Sequence, residues 1–287
     1  MIPIVVSTNR TQVTHFGGKT AYPFYMTIGN IPKEIHRKPS SHVQILAAYL
    51  PNTKLKHFTN KASQRHTLSN LFHSCIQRQL LPLETVSAEG IVLTSGDGVQ
   101  RRCYLIFALF IGDYPEQVLI TGSKSKSGEC PKCQVQHKHL GSGSMPLINR
   151  DLMKAKDALA MADLFPMQYA TRCHEALIKP IYHPFWENLP YANVYKAIVP
   201  NILHQLQQGM VKHLVKWLAA AYGSAELDAH CKRVPPNHHI RLFKNGIMSL
   251  MHVTGREHNK MSRLLLGIIA DAHVVSGCYN TVQTPTL

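Results

Sequence analysis

The chain has 287 residues, 45% apolar and 16% charged, and 31 Lys and Arg against 16 Asp and Glu leave a formal charge of +15. That length can bury a core of ordinary size in one large or two modest domains, which excludes a small disulfide-held secreted scaffold. No apolar run reaches the ~18–20 residues of a membrane span, and Met1–Arg10 lacks a basic-then-apolar leader, so the expectation is an intracellular protein, nuclear or cytoplasmic, with no membrane contact.

Ile2–Ser7 is β-branched and reads as a strand, and Pro23–Ile28, after a Gly17-Gly18 turn, reads as a second. Pro32 and Pro39 frame a basic loop, and Val43–Leu50 fits a strand or a short helix. From Lys61 to Leu81, Leu68, Leu71, Phe72, Cys75, Ile76 and Leu80 recur at helical spacing, which predicts an amphipathic helix. Ile91–Thr94 and Arg102–Ile111 predict a hairpin, with Asp97-Gly98 supplying the positive φ angles of a tight turn. The Gly, Ser and Lys stretch at 122–128 marks a boundary, and Gly141–Ser144 reads as a linker. Helices are predicted over Leu152–Leu164 and Met167–Leu177, and a packed, proline-punctuated loop over Lys179–Tyr191. A helix is expected over Ile198–Tyr222, stopping at Gly223, and a last one over Glu257–Ala272.

A +15 chain favours a polyanion, because each neutralised phosphate releases a condensed counterion; double-stranded DNA is the partner to consider. Lys33, Arg37, Lys38, Arg101, Arg102, Lys124 and Lys126 are the expected phosphate contacts, with a solvated basic surface as the alternative. Homo-oligomerisation is compatible with the sequence.

Asp113 closes a run of apolar residues, a place where a sheet presents metal ligands, and Tyr114-Pro115 is expected to prevent a helix from following. A turn-forming role explains Asp113 equally well. Two-metal cleavage of phosphodiesters needs more than one carboxylate. Of seven cysteines, only Cys130 and Cys133 form a Cys-x-x-Cys pair, with His137 and His139 near in sequence and His183 further on. Such a set can hold a structural Zn²⁺, which requires four ligands; two ordinary thiols are the alternative, and a redox pair is the least supported. No P-loop, G-x-S-x-G, H-E-x-x-H or dinucleotide fingerprint occurs.

Several phrases together resemble the Plavaka-type transposases of fungal DNA elements, within the CACTA-related group. They are Thr11–Thr14, Ala21–Pro32, Thr94–Val99, Gly112–Gln117, Gly128–Cys133, Lys179–Trp186 and Ile202–Leu206, in the family's order. The resemblance implies an α/β fold: an RNase H-like mixed sheet core flanked by helices (1–122), a zinc-knuckle-like Cys-x-x-Cys insertion with a Pro/aromatic loop (123–190), and a mainly helical second half (191–287). It also implies a DDE-type acidic triad that uses Mg²⁺ or Mn²⁺ for cut-and-paste DNA transposition.

The chain departs from that pattern at two positions. The family's phrase Ser-Asp-Lys-Thr-Gln places an aspartate where this sequence has Asn9, and a second aspartate is replaced by Asn201. An amide brings no charge to a hard cation, so the first metal position is degenerate. Asp113 matches the second acidic position, and Glu257 is the candidate for the third. The expectation is a fragment or decayed copy of a longer transposase that retains DNA binding without catalysis. An active DDE nuclease or strand transferase, and a zinc-stabilised interaction module, are the alternatives.

Overall fold

The computed structural model describes residues 1–14, 18–124, 130–135, 139, 148–238, 240–251 and 253–270. Gly17, Lys126, His137, the 141–144 linker, most of the 122–128 stretch and the tail after 270 lie outside the described residues. Two compact units form, Met1–Val199 and Pro200–Leu287.

The first unit is built on a four-stranded sheet. Strand β1 (Ile2–Thr8) pairs antiparallel with β4 (Pro23–Ile28), which pairs antiparallel with β5 (Ile45–Tyr49). On the other side of β1 lies β8 (Leu105–Ile111), parallel to it, so the order is β5-β4-β1-β8. A parallel bridge from Phe110 to Ile198 continues the sheet beyond β8. Alternation along β1 sends Ile4, Val6 and Thr8 to one buried face, as period-2 geometry requires. Short pairs Thr11–Gln12 (β2) with Thr20–Ala21 (β3) and Ile91–Thr94 (β6) with Gln100–Cys103 (β7) stand apart from this sheet.

Helix α2 provides the crossover to the parallel strand. It runs Lys61–Glu89, capped by the Asn60 side chain on the Ala62 and Ser63 N–H groups. Its end therefore lies eight residues past the predicted Leu81, beyond Pro82. A proline removes one hydrogen bond, but burial of Leu83 and Ser87 on the stripe that carries Phe72, Ile76 and Leu80 holds the next turns. The Arg102–Ile111 strand of the expected hairpin is split at Tyr104: Arg102 and Cys103 pair with β6, whereas Leu105–Ile111 enters the main sheet. In the β6–β7 turn only Gly98 has positive φ (78°), and Asp97 does not. The Gly98 N–H donates to the Ser95 carbonyl at 2.9 Å, giving a longer loop than the two-residue turn expected.

Helices α4 (Leu152–Leu164) and α5 (Pro166–Glu175) pack on each other, and the Lys179–Tyr191 segment threads the core without regular structure. Phe185 and Trp186 are each 1% exposed there, beside Phe107, Phe110 and Ile76 of the same core. The Trp186 indole N–H donates to the Ile120 carbonyl at 2.8 Å, which satisfies its one buried polar group.

The expected helix Ile198–Tyr222 is two elements preceded by a break. A short α6 (Val194–Ala197) ends before Val199-Pro200, and a π-helical segment Ile202–Val211 leads into α7 (Lys212–Tyr222), which stops at Gly223. Asn201 caps the π segment by accepting the His204 N–H at 3.0 Å. The second unit continues with α8 (Ser224–Arg233) and α9 (Gly255–Ile269) around Leu227, Cys231, Phe243, Met261 and Ile268. Among the described residues no helix is long and apolar enough to cross a membrane.

Candidate functional site

The parallel pairing of β1 and β8 aligns Ser7 with Ile111, so both strands end at the same edge of the sheet, with Asn9 just past one and Asp113 just past the other. Asn9 is exposed and Asp113 half-buried. These two sequence-predicted positions are brought to one place by the register itself.

The chain after β8 does not stay irregular. It turns at Gly112 into α3 (Tyr114–Thr121), with Pro115 inside the first turn. The expectation that Tyr114-Pro115 would prevent a helix is corrected here: at the start of a helix the missing proline N–H costs nothing, and its fixed φ is already helical. Gly112 is needed for close approach, since a Cβ there would stand 2.8 Å from the Glu116 Cβ and from the Phe110 ring. Asp113 is the N-cap, and its Oδ1 accepts the Glu116 N–H at 3.0 Å.

Asp113 and Glu116 have capping-box spacing, yet Glu116 does not fold back on the cap. Its side chain turns into the protein, where it accepts the Tyr22 hydroxyl at 2.6 Å (Oε2) and 2.8 Å (Oε1) and the Thr8 hydroxyl at 2.9 Å. Thr8 is 2% exposed, Tyr22 4% and Glu116 8%. Burial raises the Glu116 carboxyl above its ordinary 4.5, against the opposing pull of the Tyr22 and Thr8 hydrogen bonds. Burial, and then the neighbouring Glu116, push the Tyr22 phenol up strongly, so it donates as a neutral group. The Arg10 guanidinium lies 5.0 Å from the Tyr22 ring centroid and covers it from outside.

Three contacts hold α3 in place behind this edge. Gln117 donates to the Gly112 carbonyl at 3.1 Å and the Val199 carbonyl at 2.7 Å, Trp186 reaches Ile120, and His73 Nε2 donates to the Leu119 carbonyl at 3.1 Å. The carbonyl can only accept, so Nε2 carries the proton of His73, which is 0% exposed.

Sequence reasoning placed Asp113 and Asn9 at this edge and missed Glu116, Tyr22 and Thr8. The D-x-x-E spacing at Asp113 and Glu116 was the available signal. Glu257 lies in the second unit, where it forms a capping box with Thr254 and an ion pair with Arg241, which hold its carboxyl below the ordinary value. Asn201, likewise in the second unit, serves as a cap, a role for which an amide oxygen suffices.

The Cys130–Cys133 turn is anchored in the first unit. Cys130 Sγ accepts the backbone N–H groups of Lys132 and Cys133, each at 3.4 Å. The buried Arg150 donates to the carbonyls of Cys130 (2.8 Å) and Leu177 (3.0 Å), and Cys133 bridges Asn149. His139 is exposed, and His183 faces carboxylates with both ring nitrogens, Glu187 at 3.0 Å and Asp163 at 3.4 Å. Among the described residues no three His, Cys, Asp or Glu side chains converge on a point that could hold a metal ion. Among the described residues the Cys pair offers two thiols where a structural zinc needs four ligands, and the half-buried Asp113 is one carboxylate where a magnesium pair needs several.

Of the expected phosphate contacts, Lys33, Arg37 and Lys38 are exposed around the short helix α1 (Lys33–His36). Arg101 forms a two-armed ion pair with Asp97, at 2.7 and 2.8 Å, across the β6–β7 turn, and Arg102 donates to the Glu89 carbonyl at 2.9 Å. Lys124 is half-buried.

The family model described as Plavaka transposase matches residues 1–218. No curated protein matches the chain. The match covers well over half of the sequence, including the sheet, the strand-end residues and the Cys pair, and the chain belongs to the Plavaka transposase family.

Proposed function

We propose that this member of a transposase family is a DNA-binding protein built on an RNase H-like core, in which metal-dependent strand cleavage has been lost. The family implies DNA as partner. Support for the core is topological: a three-strand antiparallel meander, a helical crossover, and a strand returning parallel to the first, with a further parallel bridge beyond it. Support for DNA binding is the surplus of 15 positive charges and the exposed Lys33, Arg37 and Lys38.

The observation that carries the loss of chemistry is at the sheet edge. Asn9 stands beside Asp113 at the ends of parallel strands, and the nearby carboxylate, Glu116, is committed to Tyr22 and Thr8. Asp113, half-buried, is left as the carboxylate of that edge not committed to Tyr22 and Thr8, and an amide neighbour does not replace the second charge that a hard cation needs. The described residues therefore do not fit a two-metal centre.

The test is nicking of supercoiled plasmid with Mg²⁺ or Mn²⁺. The wild-type chain should give none, and Asn9→Asp should gain metal-dependent nicking that Asp113→Ala abolishes. Nicking by the wild type that disappears in Asp113→Ala would refute the loss of chemistry. No gain in Asn9→Asp would refute the pairing of Asn9 with Asp113.

The Cys130–Cys133 turn is read as the described half of a zinc knuckle. The two N–H groups aimed at Cys130 Sγ support this, since such donors stabilise a thiolate ligand.

A further inference from the structure

The second unit holds a cavity of about 500 Å³ at the start of α9, lined by Gln207, Gly255, Arg256, Asn259, Lys260 and Arg263. Positions 256, 259, 260 and 263 lie on one helical face, so three cations and one amide converge along two turns. Its lining contains no carboxylate. The nearest acidic residue in sequence, Glu257, is bound to Thr254 and neutralised by Arg241.

The helix start itself adds to the field. The first-turn N–H groups of α9 lack intrahelical acceptors, and the helix dipole places partial positive charge there. Gly255 lets the π segment come close: a Cβ would fall 2.4 Å from Leu203 Cδ1 and 3.1 Å from Gln207 Oε1. The Gln207 side chain thus points at the helix start and faces the cavity. Gln207 is 9% exposed.

We propose that this cavity is a phosphate site that takes a phosphodiester group of a DNA backbone. Arg256 and Arg263 present planar forks suited to phosphate oxygens, Lys260 supplies a point charge between them, and Gln207 closes the floor with its amide. The choice of DNA over free phosphate rests on the DNA-binding reading above; the anion site stands on its own residues.

The test uses the full chain and two probes: a fluorescein-labelled duplex, read by anisotropy across a salt series, and inorganic phosphate, read by its stabilisation of the chain in thermal denaturation. R256Q/K260Q/R263Q should weaken duplex binding about tenfold or more and reduce the slope of log affinity against log salt by about 2 to 3. K216Q/K232Q/K244Q removes the same charge from exposed positions of the same unit and should do less. Gln207→Met should weaken binding a few-fold with the slope unchanged. Equal losses in the two triple variants would mean that net charge alone is at work and would overturn the proposal. If the wild type binds no duplex, the DNA reading fails. Phosphate protection that is present in the wild type and lost in R256Q/K260Q/R263Q would then replace the proposed DNA source with free phosphate, and its absence would overturn the site itself.

Discussion

His73 connects the stability of the first unit to pH through a mechanism whose size can be worked out. The ring is fully buried, stacks on Phe185 with centroids 5.6 Å apart, donates through Nε2 to the Leu119 carbonyl, and leaves Nδ1 without a partner. Burial lowers its pKa from the ordinary 6.5 to about 4, with the Leu119 hydrogen bond opposing the shift. Between those values the unfolded chain takes up a proton that the folded chain refuses. The His73 contribution is therefore complete above pH 6.5, is lost as pH falls toward 4, and is level below that. A difference of this size corresponds to about 3 kcal/mol. His73→Phe keeps the ring and removes the titration. At pH 7.5 it should lie within about 1 kcal/mol of the wild type, since one hydrogen bond is lost and one unpaired nitrogen is relieved. Urea titrations in a Trp217→Phe background make Trp186, 1% exposed in the core of the first unit, the reporter. The stability difference between the two proteins should shift by about 3 kcal/mol in favour of His73→Phe between pH 7.5 and 4. Parallel loss of stability in both proteins across that range would refute the reasoning.

Glu116 works in the opposite direction. Its raised pKa contributes stability that is full below 4.5 and lost as pH rises through the folded value, so Glu116→Gln should gain on the wild type from pH 4.5 to pH 7.5 in the same titration. Glu116→Ala should cost about 2–3 kcal/mol at pH 4.5, because it leaves the Tyr22 and Thr8 hydroxyls buried and unpaired, and less at pH 7.5, where the wild type has lost part of the Glu116 contribution; a cost under about 0.5 kcal/mol at pH 4.5 would show that the hydroxyls find water. Trp186→Ala should cost about 3–5 kcal/mol in thermal or urea unfolding, from the lost ring and the orphaned Ile120 carbonyl. For the Cys turn, the purified chain should hold zinc by elemental analysis and lose it in Cys130→Ser/Cys133→Ser; equal zinc in both would move the ligands elsewhere.

Much of the first unit was legible because its signals are local. β-branched residues mark Ile2–Ser7 of the strand Ile2–Thr8, and the helix expected over Leu152–Leu164 forms over those residues. The errors come from tertiary context. Pro82 looks like a stop, yet the core keeps the helix going to Glu89; Tyr104 looks like the middle of a strand, yet it is where the chain leaves one sheet for another. Pro115 looks like a breaker, yet its place in the first turn after Asp113 makes it a helix starter. At the site, Asp113 could be found from its strand end and Asn9 from the family resemblance, but their adjacency depends on the parallel register. Glu116 carries no pattern that tells an inward carboxylate from a capping one. Its partners, Thr8 and Tyr22, lie 108 and 94 residues away in sequence.

Binding of duplex DNA through the positive surface is tested most directly by the affinity of the purified wild-type chain for duplex DNA as salt is raised. A steep, linear fall of log affinity with log salt is expected, as release of condensed counterions requires. Binding that does not change with salt, or no binding by a folded chain, would contradict it.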